Sequence, residues 1–183
     1  MASACRFTSI SPRRWRYRNP RTLKGLRFRG QPNYNAIFKH YGIAGVNIAP
    51  PEVYTALERG TVQGYGYPLW GIDDFGWEKL TRTRIDPGFY NVTINVLMNK
   101  DRYSALTPAQ RKLLDATIAW FEGEVERFTA GKTKETLEMQ SRAGIKVVSF
   151  GPEWTRTAVQ LYWDDLKKLS PASMAALQPL LMK

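Results

Sequence analysis

Arg29, which closes the run LKGLRFR, is the residue whose type and position best suit chemistry. A guanidinium at a strand end can grip a carboxylate through two parallel hydrogen bonds, because its planar fork matches the anion. A surface ion pair is its alternative use. Asn33, just beyond, can donate to the same anion. Tyr67 and Trp70 flank Pro68, and either can stack on an apolar body or ring. Gly64 and Gly66 leave bare backbone next to them, which suits a wall touching a small ligand; ordinary core packing is the alternative. Asn91 lies with Phe89, Tyr90 and Asn95 on a strongly β-forming run, and alternation alone leaves open which of them face a cleft. Covalent chemistry has little support. The lone His40 has no placed Ser or Asp partner, no G-x-x-x-x-G-K-[ST] phosphate loop occurs, and the adjacent Asp73 and Asp74 would diverge on a helix. The single Cys5 allows neither an intrachain disulfide nor a Cys-based zinc site, and one histidine excludes a multi-His centre. The reading is a binding protein, not an enzyme, with no cofactor.

These residues need a scaffold, and the pattern supplies one. Leu26 and Phe28 alternate with Arg27 and Arg29, which predicts a strand over 23–29 ended by Gly30 and Pro32. Asn33 then caps a helix over 34–41, with Tyr34, Ile37, Phe38 and Tyr41 on its apolar face, and Gly42 closes it. Val46 to Ile48 form a short strand. In PPEVYTALERG, Pro50 and Pro51 open a helix, Val53, Ala56 and Leu57 mark its apolar face, and Gly60 is a left-handed end. A strand over 61–65 follows. Strand–helix–strand–helix–strand with short connections implies a parallel α/β sheet, whose ligands sit at the strands' carboxyl ends. Arg29, Pro50 and Tyr67 all fall at such ends, so three separate stretches converge on one rim. Further on, a short helix is expected within 71–86 and a long strand over 89–98. A capped helix runs from Pro108 to Arg142, with Thr107 and Gln110 as its capping pair and Gly123 and Gly131 as candidate kinks. A buried strand at 145–150 and two helices, Glu153–Leu169 and Ser173–Met182, complete the chain.

Charge divides the chain unevenly. The first fifty residues carry ten of the 27 Lys and Arg and none of the 16 Asp and Glu. The body is nearly neutral. Residues 1–20 read as a disordered basic leader, and Trp15 and Tyr17 among Arg13, Arg14, Arg16 and Arg18 give the alternative reading of a basic-arm nucleic-acid-binding protein. No apolar run is long enough to span a membrane, and the first twenty residues have no apolar core of a secretory signal.

The segments LKGLRFRG, VNIAPPEVYTALERGTVQGYGYP and FYNVTINVLMNKDRYSALTPAQR, in this order and spacing, resemble the solute-binding proteins of tripartite ATP-independent periplasmic (TRAP) transporters, of the C4-dicarboxylate receptor (DctP) type. The likeness covers about residues 20–183. It implies a periplasmic-binding-protein-like α/β fold of two lobes closing on an organic acid, with a long helix spanning both. It also implies a periplasmic location and delivery of the ligand to sodium-driven TRAP membrane subunits, without covalent chemistry. By the same resemblance Arg29 is the carboxylate clamp and Asn33 a nearby polar contact. Tyr67 stands where relatives often carry Asn, which implies a ligand with an apolar or aromatic part. Gln63 stands where relatives carry Asp. The family's signal peptide and most of its first lobe have no counterpart here. The expectation is therefore a truncated or misassigned product holding the second lobe and the C-terminal elements in 21–183, with doubtful export, exposed apolar surface on the long helix, and weak binding by half a cleft.

Overall fold

The computed structural model describes residues 4–10, 17–91 and 95–181. One six-stranded sheet organises them, in the order β3-β2-β4-β1-β5-β6. The strands are β1 (Ala4–Ser9), β2 (Arg27–Gly30), β3 (Ala44–Asn47), β4 (Gly64–Pro68), β5 (Thr83–Asn91) and β6 (Lys146–Ser149). The helices are α1 (Asn35–Tyr41), α2 (Pro50–Glu58), α3 (Lys100–Ser104), α4 (Pro108–Arg142), α5 (Pro152–Leu169) and α6 (Pro171–Leu181). β2 is parallel to β3 and to β4, as the two crossovers through α1 and α2 demand, and β5 is parallel to β6. β1 runs antiparallel between β4 and β5, so the sheet is mixed rather than parallel throughout.

That central strand corrects the expected disordered leader. In β1, Cys5 and Phe7 enter the hydrophobic core, while Thr8 donates through Oγ1 to the Tyr65 carbonyl at 3.2 Å across the strand pair. Tyr17 is also core, its hydroxyl donating to Ser9 Oγ at 2.6 Å, and so is not an aromatic presented to RNA. Arginine-rich composition hid a strand buried on both faces. Arg13, Arg14, Trp15 and Arg16 lie outside the described residues.

Each sheet face has its own core. On one, Phe7, Phe28, Ile85 and Phe89 meet Ile37 and Phe38 of α1 and Trp154 and Ala158 of α5. On the other, Tyr65 meets Val53 and Leu57 of α2, Ile72 and Trp77, with Met139 of α4 packed alongside. Local signals work where chain chemistry fixes the backbone. Gly42 ends α1 at φ 66°, and Gly60 follows α2 at φ 69°. Thr107 and Gln110 form the capping box that opens α4, which runs 35 residues without a break at Gly123 or Gly131.

Other expectations shift. Asn33 does not cap α1. Pro32–Tyr34 form a 3-10 turn first, and the cap position falls on Tyr34, which makes no side-chain cap bond. The short helix expected within 71–86 is a 3-10 turn at Trp77–Lys79. The long strand expected over 89–98 starts earlier, at Thr83, and is described to Asn91, paired with β1 and β6. Residues 92–94 lie outside the described residues, and 95–99 form no strand. β6 is an edge strand rather than a buried one, with Val147 54% exposed.

Candidate ligand-binding site

The rim of the sheet where β2, β3 and β4 end gathers the candidate residues. Antiparallel pairing brings the start of β1 there as well, Cys5 opposite Pro68 and Arg6 opposite Tyr67. The end of β5 joins it, with Asn91 opposite Ala4 and Tyr90 opposite Cys5. Arg29 is the centre of this rim. Its side chain shares a sheet face with Tyr65, its partner across β2 and β4, and it is only 1% exposed. Nε donates to the Ile48 carbonyl at 2.9 Å and Nη1 to the Gly66 carbonyl at 3.0 Å. The guanidinium carbon stands 5.6 Å from the centre of the Tyr67 ring. The expected convergence of the first three parallel strand ends is therefore real: one side chain bonds the segments after β3 and within β4.

The electrostatics of Arg29 are unusual. Burial pushes its pKa down, opposed by Tyr34, Tyr67 and Cys5. No carboxylate among the described residues lies within 4.0 Å of it, although a buried charge is costly unless paired. Two backbone carbonyls take the Nε–H and one Nη1–H, while Nη2 bonds to none of the described residues and can donate to an anion. The surface ion pair weighed for Arg29 is excluded among these residues.

The remaining candidates are placed less uniformly. The Tyr67 ring is half-buried, edge-on to Trp77 at 4.7 Å between centroids, so it serves as core and rim together. Burial raises the pKa of its phenol, and Arg29 opposes that shift. Trp70 turns toward α4, donating from Nε1 to Thr133 Oγ1 at 3.1 Å. Asn33 is half-buried in the turn that follows β2, and Asn91 is exposed at the end of β5. The bare backbone of Gly64 and Gly66 serves packing. Phe28 and the Thr8 carbonyl fill the space beside Gly64, and Tyr34 and Phe7 fill that beside Gly66.

The rim also holds residues that the sequence reading passed over. Cys5 Sγ lies 3.1 Å from the Tyr34 hydroxyl, and burial pushes both pKa values up. Arg6 differs from Arg29 in having an acid beside it. Its Nε meets Asp86 Oδ1 at 2.6 Å, and Arg84 Nη2 meets Asp86 Oδ2 at 2.9 Å. Arg84 Nη1 then donates to Gln140 Oε1 at 2.6 Å, and Gln140 Nε2 to the Leu69 carbonyl at 3.2 Å. This chain of bonds ties β1, β5, α4 and the segment after β4 together. The alternation of Cys5 and Phe7 with Arg6 and Thr8 was the available signal. Among the described residues no three His, Cys, Asp or Glu side chains gather as metal donors.

Helices cover both faces of a mixed α/β sheet, and at its strand-end rim stands a buried guanidinium with no carboxylate within 4.0 Å among the described residues. Over residues 7–169 the sequence matches the family described as bacterial extracellular solute-binding protein, family 7 (DctP), and the chain belongs to that family. The match begins inside β1, within the segment read as an unrelated leader. A solute-binding protein of Verminephrobacter eiseniae (strain EF01-2) is 32% identical over 113 residues, 60% of this chain and 34% of that protein. The 2,3-diketo-L-gulonate-binding periplasmic protein YiaO of Escherichia coli (strain K12) is 25% identical over 140 residues, 72% of this chain and 41% of that protein. The crystal structure of a TRAP periplasmic solute-binding protein from Desulfovibrio salexigens with bound orotic acid superposes with a TM-score of 0.80 at 21% identity, covering 98% of this chain and 58% of that one. The chain thus spans between a third and three-fifths of the length of these relatives. The TRAP-type α/β fold read from the sequence is confirmed.

Proposed function

We propose that this chain is the carboxylate-gripping lobe of an organic-acid receptor of a TRAP transporter. The observation that carries the reading is Arg29: buried, held by two backbone carbonyls, and without an acid among the described residues. Such a group completes its bonding when a carboxylate arrives. The names of the relatives point the same way, since diketo-L-gulonate and orotic acid both carry a carboxylate. In this reading Arg29 clamps the carboxylate, Asn33 adds a donor, and Tyr67 and the ring face of Trp70 line the ligand's body. Asn91 contributes from the end of β5. Binding is the whole of the chemistry, with no enzymatic step. The receptor works outside the cytoplasmic membrane and hands its ligand to sodium-driven TRAP membrane subunits. Among the described residues no helix is long and apolar enough to cross a membrane. The basic-arm nucleic-acid reading loses its main support with Tyr17 in the core.

One lobe encloses only part of a ligand, so affinity is expected to be weak, in the roughly millimolar range. Calorimetric or NMR titration with orotate, glucuronate and malonate tests this. Arg29→Lys keeps the charge but loses the fork, and is expected to remove binding of every acid while circular dichroism stays native. Unchanged affinity in this variant rules out the clamp, and no binding by the parent chain rules out the receptor reading.

A further inference from the structure

We infer that the Tyr34 hydroxyl is a further donor to the carboxylate that Arg29 grips, turning to it from the thiol of Cys5. The inference rests on the reading of Arg29 as the clamp. Periodicity assigns Tyr34 to an apolar helix face, and its ring is indeed core: it is 2% exposed and stands edge-on to Phe89 at 5.1 Å between centroids. The far end of the side chain is not core in the same sense. The hydroxyl lies 3.1 Å from Cys5 Sγ, and Cys5 is the rim residue of β1 that faces Pro68 on one side and Tyr90 on the other.

Three observations carry the role. The first is a shared wall. The Tyr34 ring lies against the bare backbone of Gly66, with ring atoms 2.9 and 3.1 Å from where a Cβ would stand. The Gly66 carbonyl is also the one that takes the Nη1–H of Arg29. Both side chains therefore reach the rim at the same residue of β4. The second is electrostatic. Among the groups that oppose the lowering of the Arg29 pKa by burial, Tyr34 acts most strongly, ahead of Tyr67, whose ring centre is 5.6 Å from the guanidinium carbon. The third is bonding capacity. A thiol is a weak donor and a weak acceptor, and among the described residues it is the only partner of this hydroxyl. A carboxylate held by Nη2 of Arg29 still has lone pairs to offer, and a bond to it is charge-assisted, roughly twice as strong as a neutral one. Burial, with Cys5 adding to it, pushes the Tyr34 pKa up, so the hydroxyl keeps its proton. It meets the anion as a donor and does not compete for Arg29 as a phenolate.

NMR titration of the full chain with orotate, glucuronate and malonate, in two variants beside the parent, tests the role. Tyr34→Phe keeps the ring on Gly66 and Phe89 and removes only the hydroxyl. It should weaken binding of each acid by about 10-fold or more, with a native circular dichroism spectrum. Cys5→Ala frees the hydroxyl from the thiol and should bind at least as tightly as the parent. A purely structural Cys5–Tyr34 bond would instead make the two variants lose affinity alike, and that result would overturn the inference. So would a Tyr34→Phe affinity within about twofold of the parent while Arg29→Lys abolishes binding, an outcome that leaves the clamp reading standing. A parent chain that binds none of the acids overturns the clamp reading and this donor with it.

Discussion

A buried guanidinium that meets two backbone carbonyls and the Tyr67 ring, with no carboxylate within 4.0 Å among the described residues, carries a desolvation cost. Arg29 is therefore a residue whose stability cost points to a use. Its type and place at a strand end were legible in LKGLRFRG. Its isolation from acids was not, because that depends on where Asp86 lies in space: beside Arg6 and Arg84. The phenols around the sheet allow a second residue-level test. Burial pushes the Tyr65 hydroxyl up to about 12, and those of Tyr34 and Tyr17 also rise chiefly by burial. Below about pH 10 these phenols are protonated in both states, and the stability is fully present. Above it the unfolded chain releases protons that the folded chain retains, so stability is lost as pH climbs toward about 12. Urea unfolding at stepped pH is expected to show this decline, with Tyr65→Phe flattening it. An unchanged slope in Tyr65→Phe would remove Tyr65 from the account.

Elements formed where the local code was strong and moved where partners decided. Caps at Gly42, Gly60 and Thr107 follow from backbone and side-chain geometry within a few residues. β5 instead starts at Thr83, ahead of the most β-prone run, where β1 and β6 offer partners. The glycines of β4 illustrate the same point. Gly64 and Gly66 looked like open backbone for a ligand, yet β1 and two aromatic rings close over them. Gly64→Ala would drive a methyl group into the Thr8 carbonyl and the Phe28 ring. A loss of about 2–3 kcal/mol in urea-monitored stability is expected. A loss below about 0.5 kcal/mol would mean that the β1–β4 contact relaxes freely.

On the scale of the whole molecule, β1 divides the two readings of the N-terminus. A dispensable basic arm could be removed without effect. A strand hydrogen-bonded to both β4 and β5 could not, since it carries Cys5 and Phe7 into the core and Arg6 onto Asp86. Deleting residues 1–10 is expected to abolish the cooperative unfolding transition, followed by circular dichroism in urea. A retained transition with a native spectrum would show that the sheet closes without it.

By itself the sequence determined the α/β class, the βαβ units from β2 to β4, the limits of α4 and the family. Each rests on periodicity, caps and short connections read within about forty residues. Only the tertiary structure decided that an arginine-rich N-terminus becomes the strand linking the parallel groups, that Trp70 turns to α4, and that Arg29 has no acid beside it among the described residues. Strand pairing and charge pairing join residues some sixty to eighty positions apart, as Cys5 with Pro68 and Arg6 with Asp86. No local pattern encodes which distant partner will be available.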